Sequence, residues 1–299
     1  MPQPLEFPLS PSTEATHEPH IHIQHRPVSG DLSRHVRTLM AVEIDGPGPL
    51  PLAIAPHDAL MLTVQLGRSR DSLDEKGQEA GQNTRLTGIR EWTGSFTGAG
   101  NCVSLFALLT PLGGVELLDS QPLRPLPRIR ASVAELLDRR LTRELESDIA
   151  LAQGLDAKLE AFGAWLETRA VAHRSQSRAA LRAGRAAMRL CDEPQAPIEK
   201  LADEQHVSRR QLERDFAHWI GTSPRHLAQV ARVQAVSRRA QTGSTLADIA
   251  ADVGFADQAH MSRVVRELTG LTPRSFVRSQ RTPIAAGFRA ATGGGTVYL

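Results

Sequence analysis

The chain has 299 residues, 40% of them apolar, with a net charge of +2, two cysteines and only 4% aromatic residues. That length fits about two domains with packed cores, no stretch approaches the roughly 20 apolar residues of a membrane-spanning helix, and Cys102 and Cys191 form neither a disulfide framework nor a zinc-finger spacing. The Pro-rich start lacks the basic-then-apolar order of a secretory signal, so the expectation is a cytoplasmic protein with reduced thiols.

Residues 1–30 read as an irregular tail rich in Pro and His. His17, His20, His22 and His25 are its metal candidates, with His20 and His22 on one face if the segment is a strand. No carboxylate or Cys pattern accompanies them, so the expectation is no metal and no cofactor. Residues 31–128 read as a β-rich domain of short apolar runs broken by Gly, Pro and Asp, such as Leu60–Val64 and Val103–Leu109. Ser69 to Thr87 reads as a long loop, and Gly98-Ala99-Gly100-Asn101 as a turn.

Residues 129–174 change to helical spacing, giving two amphipathic helices, about 131–150 and 154–172. They serve either as a dimer seam or as packing onto the β domain. Residues 175–282 read as all helix, and 283–299, with Gly293-Gly294-Gly295, as a flexible tail. From Ser175 onward the chain carries 18 Lys+Arg against 11 Asp+Glu, a net +7, while the remainder is −5. A basic C-terminal part points to an anionic partner, nucleic acid first. Arg codon bias from a GC-rich genome is the competing reading of that charge.

Two segments of this part repeat. One runs from Leu201 through Val207-Ser208 and Leu212-x-Arg214-x-Phe216 to Gly221-x-Ser223-Pro224, the other from Ile249 through Gly254-Phe255 and Met261-x-Arg263-x-Val265 to Gly270-x-Thr272-Pro273. Each has the parts of a helix-turn-helix. Val207 and Phe255 plug the angle between helices, and Gly254 suits a turn with φ > 0. Ser208-x-x-Gln211 forms a capping box, Asp257 caps the matching helix, and Gly221 and Gly270 stop the second helices. Leu212, Phe216 and Trp219 face inward in one recognition helix, Met261, Val265 and Leu268 in the other. The opposite faces carry Arg210, Glu213, Arg214 and Ala217, and Ala259, Ser262, Arg263 and Arg266. A connector helix from Ser223-Pro224 to about Gln241 joins the units.

The stretch Pro197 to Arg278 resembles the DNA-binding domain of the AraC/XylS family of transcription regulators. The resemblance rests on Leu201-Ala202, Val207-Ser208-x-Arg210-x-Leu212-x-Arg214-x-Phe216, Gly221-x-Ser223-Pro224, Asp248-Ile249-Ala250, Gly254-Phe255, Ser262-Arg263 and Gly270-x-Thr272-Pro273. Met261 and Val265 replace residues that are usually Phe there, which implies a softer core, and Ala259 stands where a polar base reader is common. Gly94-Ser95-Phe96-Thr97 and Pro111-x-Gly113-Gly114 resemble, more loosely, the family's cupin-type domain that senses a ligand or mediates dimerisation. The implied fold class is α+β: a small β-rich, cupin-like N-terminal domain, a helical linker, and an all-α double helix-turn-helix domain. The implied partners are double-stranded DNA, RNA polymerase, a small-molecule effector of unknown identity and a second copy in a homodimer.

The DNA-reading candidates are Arg209, Arg210, Glu213, Arg214, Gln258, His260 and Arg263, with Val207, Leu212, Phe216, Gly254, Phe255, Met261 and Val265 forming the turns and core. Each polar candidate has a bland alternative, a solvated helix face or, for Arg263, a brace on the turn. Glu213 either accepts from cytosine or orients Arg210. No G-x-S-x-G, G-x-x-x-x-G-K or H-E-x-x-H occurs, so the expectation is no enzyme. Two alternatives stand beside the regulator: a cupin-like metal enzyme with accessory DNA binding, for which only His57 lies near the β core, and a nonspecific architectural DNA binder.

Overall fold

The computed structural model describes residues 20–46, 50–66, 84–89, 94–98, 102–118, 130–132, 139–172, 177–240, 244–279, 282–292 and 297–298. The expected turn at 98–101, most of the 69–87 loop, the glycine run and residues 133–138 of the 131–150 helix fall outside them, whereas 84–87, expected in the loop, and 131–132, expected in the helix, are strands that pair with each other. The architecture is α+β, an antiparallel β half followed by a helical half.

Six strands form the main sheet in the order β1-β2-β7-β4-β5-β8, every neighbour antiparallel. They are β1 (His20–Pro27), β2 (Val36–Asp45), β4 (Leu60–Leu66), β5 (Thr84–Thr87), β7 (Cys102–Leu109) and β8 (Arg130–Ser132). A second sheet has the order β6-β3-β9, with β3 (Leu50–Ile54) between β6 (Gly94–Gly98) and the C-terminal β9 (Val297–Tyr298). The period of two sorts the main sheet into two apolar faces, which is why β2 and β7 read as nearly unbroken apolar runs. Leu39, Ala41, Leu62, Leu105 and Ala107 face one core, and Met40, Val42, Ile44, Cys102 and Phe106 face the other.

The first face is covered by a helical hairpin of α2 (Arg139–Leu151) and α3 (Gly154–Ala172), through Leu145, Ile149, Leu159, Phe162 and Leu166. These residues pack onto the sheet, as the packing reading of that pair expects. The second face is covered by α11 (Pro283–Thr292), where Phe288 and Ala291 join the core. The sequence reads 283–299 as a flexible tail, and 283–292 is instead a docked helix. Its start was legible in Thr282-Pro283: the Thr282 hydroxyl accepts from the Ala285 N–H at 3.2 Å, and proline suits the first helical turn. Likewise, β1 occupies part of the expected N-terminal tail. His20 and His22 do share one exposed face of it, across from Asp45 and Glu43.

Between sheet and helices lies the short α1 (Pro111–Glu116), capped by the Thr110 hydroxyl, which also donates to the Arg34 carbonyl at 2.7 Å. It packs against α4 (Arg178–Asp192), the first helix of the C-terminal half. The remaining helices are α5 (Ile198–Glu204), α6 (Arg209–Asp215), α7 (Pro224–Arg239), α8 (Leu246–Val253), α9 (Gln258–Thr269) and α10 (Pro273–Ser279). One core runs through all of them and takes in Ala55, Ile89 and Val115 from the β half.

Candidate nucleic-acid interface

In the first unit, α5 buries Leu201 and Ala202 and stops at a tight turn. His206 sits there at φ 56, and the Val207 N–H returns to the Ala202 carbonyl at 3.0 Å. Ser208 then caps α6 by accepting from the Gln211 N–H at 3.2 Å. Only that half of the expected capping box forms, because the Gln211 side-chain oxygen accepts from Arg214 while its amide N–H donates to Asp215 Oδ1 at 2.8 Å. The helix widens into a π-type turn over Phe216–Ile220 and ends at Gly221, φ 80. Leu212 and Phe216 are wholly buried and Trp219 half-buried, as the apolar stripe requires.

The second unit repeats the path. Gly254, φ 83, takes the place of His206, and the Phe255 N–H returns to the Ala250 carbonyl at 2.9 Å. Asp257 caps α9 by accepting from the His260 N–H at 2.6 Å. Met261 and Val265 are fully buried, Leu268 nearly so, and Gly270 ends the helix at φ 72. A complete capping box occurs one helix earlier, at the start of α8: Thr245 accepts from the Asp248 N–H at 3.2 Å and its own N–H meets Asp248 Oδ2 at 3.3 Å. Between the units, α7 starts at the Ser223 cap and Pro224 and buries Leu227, Val230, Val233 and Val236. It packs against α8 and α9 and is fixed to α4, so both units share one scaffold.

The polar candidates separate into free and engaged groups. Arg210 and Arg263 are exposed and, among the described residues, paired with no carboxylate, and Gln258 is exposed beside its cap. Arg209 is held between Glu199 at 2.5 Å and Glu213 at 2.9 Å. Hydrogen bonds from Glu213 and then Glu199 push its guanidinium further up. Glu213 therefore serves Arg209, not Arg210. Arg214 donates to the Gln211 side-chain oxygen. His260 is a brace: its Nδ1 lies 3.4 Å from the Ala256 N–H, and its ring meets Phe255 edge-on at 5.5 Å.

Three further positions of this surface and its scaffold escaped the sequence reading. Asp215, on the flank of the buried stripe, accepts from Arg182 of α4 at 2.8 and 2.6 Å and so fastens the recognition helix to the scaffold. Arg225 and Arg274 each follow the proline that opens α7 or α10, and both are exposed. The repeat places them alike, just past the ends of the two recognition helices. Their signal was the Pro-Arg step in both copies.

A further cluster joins the two halves. An extra residue in β2, between Val36 and Thr38, bulges out of the ladder with β7 and aims Arg37 at the β3–β4 loop. Arg37 donates to Asp58 Oδ1 at 2.7 Å, His57 Nδ1 lies 3.3 Å from the same oxygen, and the Cys191 thiol of α4 donates to the Asp58 carbonyl at 3.4 Å. From α7, the Gln234 amide donates to the Pro56 carbonyl at 2.7 Å. Burial opposes the charge of Asp58, but Arg37, then His57 and Arg238, outweigh it and hold the carboxyl below the usual range. Burial drives His57 down to about 4, so the imidazole is neutral. The Cys191 thiol is pushed up by burial and then by Asp58, which makes it unreactive.

A helix-turn-helix domain family profile matches residues 201–279. The HTH-type transcriptional regulator GbdR of Pseudomonas aeruginosa is 34% identical over 84 residues, which is 28% of this chain and 23% of GbdR. The chain thus matches about a quarter of the length of that curated relative. Among solved structures, ToxT of Vibrio cholerae aligns over 87% of this chain and 98% of its own at 10% identity and a TM-score of 0.43. The AraC-like transcriptional activator CuxR aligns over 66% and 79% at 12% identity and a TM-score of 0.20. Likenesses that distant say nothing about what this chain binds.

Proposed function

We propose that this chain, whose residues 201–279 match a helix-turn-helix domain profile, is a member of the AraC/XylS family and a sequence-specific DNA-binding transcription regulator of the cytoplasm rather than an enzyme. The observation that carries the reading is one turn built twice. Val207 and Phe255 close the same hydrogen-bonded corner, and each corner leads into a capped helix with a buried apolar stripe and an exposed polar face. Such a helix lays its N-terminal residues against base edges in the major groove. Arg210 and Arg263 are then the base readers, each suited to guanine, and Gln258 suits adenine. Arg209, Glu213 and His260 position these helices, with Arg214 free to reach DNA by leaving Gln211. The β half is the regulatory part, answering to an effector or partner, with RNA polymerase and a second copy as further partners. No helix among the described residues is long and apolar enough to cross a membrane.

Selection of genomic fragments bound by the full chain, followed by footprinting, tests this. The expected result is two protected major-groove patches on one side of the duplex, about 34 Å apart. The exposed Arg225 and Arg274 favour one second reading, an architectural binder held by phosphate contacts alone. Protection without sequence preference, with affinity falling steeply in salt, selects that reading and removes the first.

A further inference from the structure

The chain does not end with its second unit. Phe276 of α10 is fully buried in the helical core, and α10 packs against α9, the second recognition helix. Three residues later α11 begins, and it belongs to the other half of the molecule. Ala285, Phe288 and Ala291 are spaced by three on one side of α11 and are nearly fully buried. Phe288 and Ala291 lie on the second face of the main sheet, with Ile21, Ile23, Met40, Val42, Ile44 and Phe106 around them. The approach is close: a Cβ on Gly287 would stand 2.8 Å from Ile23 Cδ1, so the absence of a side chain there lets helix and strand touch. Beyond α11, β9 adds to the edge of β3 at Ala53 and Ile54. Residues 280–282 span at most roughly 14 Å when extended. The second unit is therefore leashed to the sheet through α11, in addition to the contacts that hold α4 and α7.

We propose that α11 is a strap acting within the chain: docked on the sheet it restrains α10 and the second recognition helix, and its withdrawal tightens DNA binding. The reasoning rests on the DNA reading above. Two recognition helices in successive major grooves must match the pitch of the duplex. A leash fixed to the β half removes some of the positions the second unit would otherwise sample, and none of its contacts is made to DNA. Linkage then requires that whatever favours the undocked strap favours bound DNA, and the reverse. The apolar sheet face is consequently the place where such control enters, and α11 is its resident occupant.

A lock separates the two states in one protein. The Cβ on Gly287 would be 3.7 Å from Ile23 Cβ, within the roughly 3.5–4.5 Å a disulfide needs. The full chain with Ile23→Cys and Gly287→Cys, in a Cys102→Ala background, is compared oxidised and reduced on a duplex fragment selected by the unaltered chain. Reduction is expected to tighten binding by at least about fivefold, the size of an ordinary coupling. Phe288→Ala, checked for folding by its thermal transition, should move affinity the same way. In the unaltered chain, hydrogen exchange within 283–292 should rise when the fragment is added. Equal affinity in the two oxidation states, tighter binding when oxidised, or unchanged exchange overturns the strap while leaving the DNA reading intact. A chain that retains no fragment in any form overturns both.

Discussion

Arg210 and Arg263 are exposed on the N-terminal halves of the two recognition helices and, among the described residues, have no carboxylate partner, and Arg225 and Arg274 are exposed at the helices that follow. In the proposed function the first pair reads base edges and the second holds backbone, and the two roles differ in what their loss does. Arg210→Ala or Arg263→Ala should cost about 1–3 kcal/mol on the selected site and relax preference at one base position. Arg225→Ala or Arg274→Ala should weaken all duplexes alike and reduce the salt slope by about one. Binding titrations on matched and mismatched duplexes at several salt concentrations separate the two patterns. His57 makes a prediction of another kind. Its folded pKa is about 4 against 6.5 for the free side chain, so in acid the unfolded chain takes up a proton that the folded chain resists. Its contribution is therefore complete above pH 6.5 and is lost progressively toward pH 4, by up to about 3 kcal/mol. Denaturant unfolding across that range should show a shallower pH slope in His57→Asn than in the unaltered chain.

The two turns are the same element made with different residues. Gly254 takes its positive φ freely, while His206 pays a steric cost at φ 56. His206→Gly should raise stability by up to about 1 kcal/mol, and Gly254→Ala should lower it by at least that much, both read by denaturant midpoint. The helix-turn-helix elements were legible in the sequence because what makes them is local: caps at Ser208 and Asp257, stops at Gly221 and Gly270, and a 3.6-residue stripe between them. The side-chain partners were not. Glu213 turned to Arg209 and Gln211 to Asp215, both four residues apart on one helix, and Glu199 of α5 and Arg182 of α4 completed the two groups. The i,i+4 pairs were open to periodicity, but the partners from α4 and α5 depend on where those helices lie, and periodicity carries no such information. The strap failed for a related reason. Its buried side is only Ala285, Phe288 and Ala291, and so thin an apolar stripe declares itself only once a sheet face exists to receive it.

At the scale of the molecule, the two halves are joined by more than a linker. Ala55, Ile89 and Val115 from the β half lie in the core that also holds Leu190, Phe216 and Val233. Arg37, Asp58, Cys191 and Gln234 form the polar seam beside them, from positions as far apart as 21, 133 and 178 residues in the chain. A seam of that sequence separation costs loop entropy that only the assembled structure offsets, so neither half should hold its native packing independently of the other. Removing the carboxylate tests this sharply. Asp58→Ala leaves the half-buried Arg37 without its counter-ion, and breaking a fully buried pair costs on the order of 3–5 kcal/mol, an upper bound for this one. If one core spans both halves, the unaltered chain unfolds in a single calorimetric transition, and Asp58→Ala lowers that transition as a whole. Two separate transitions in the unaltered chain, or a shift confined to one of them in the variant, would mean that the halves fold as independent bodies. The effect of the β half on the DNA-reading helices would then have to pass through the strap alone.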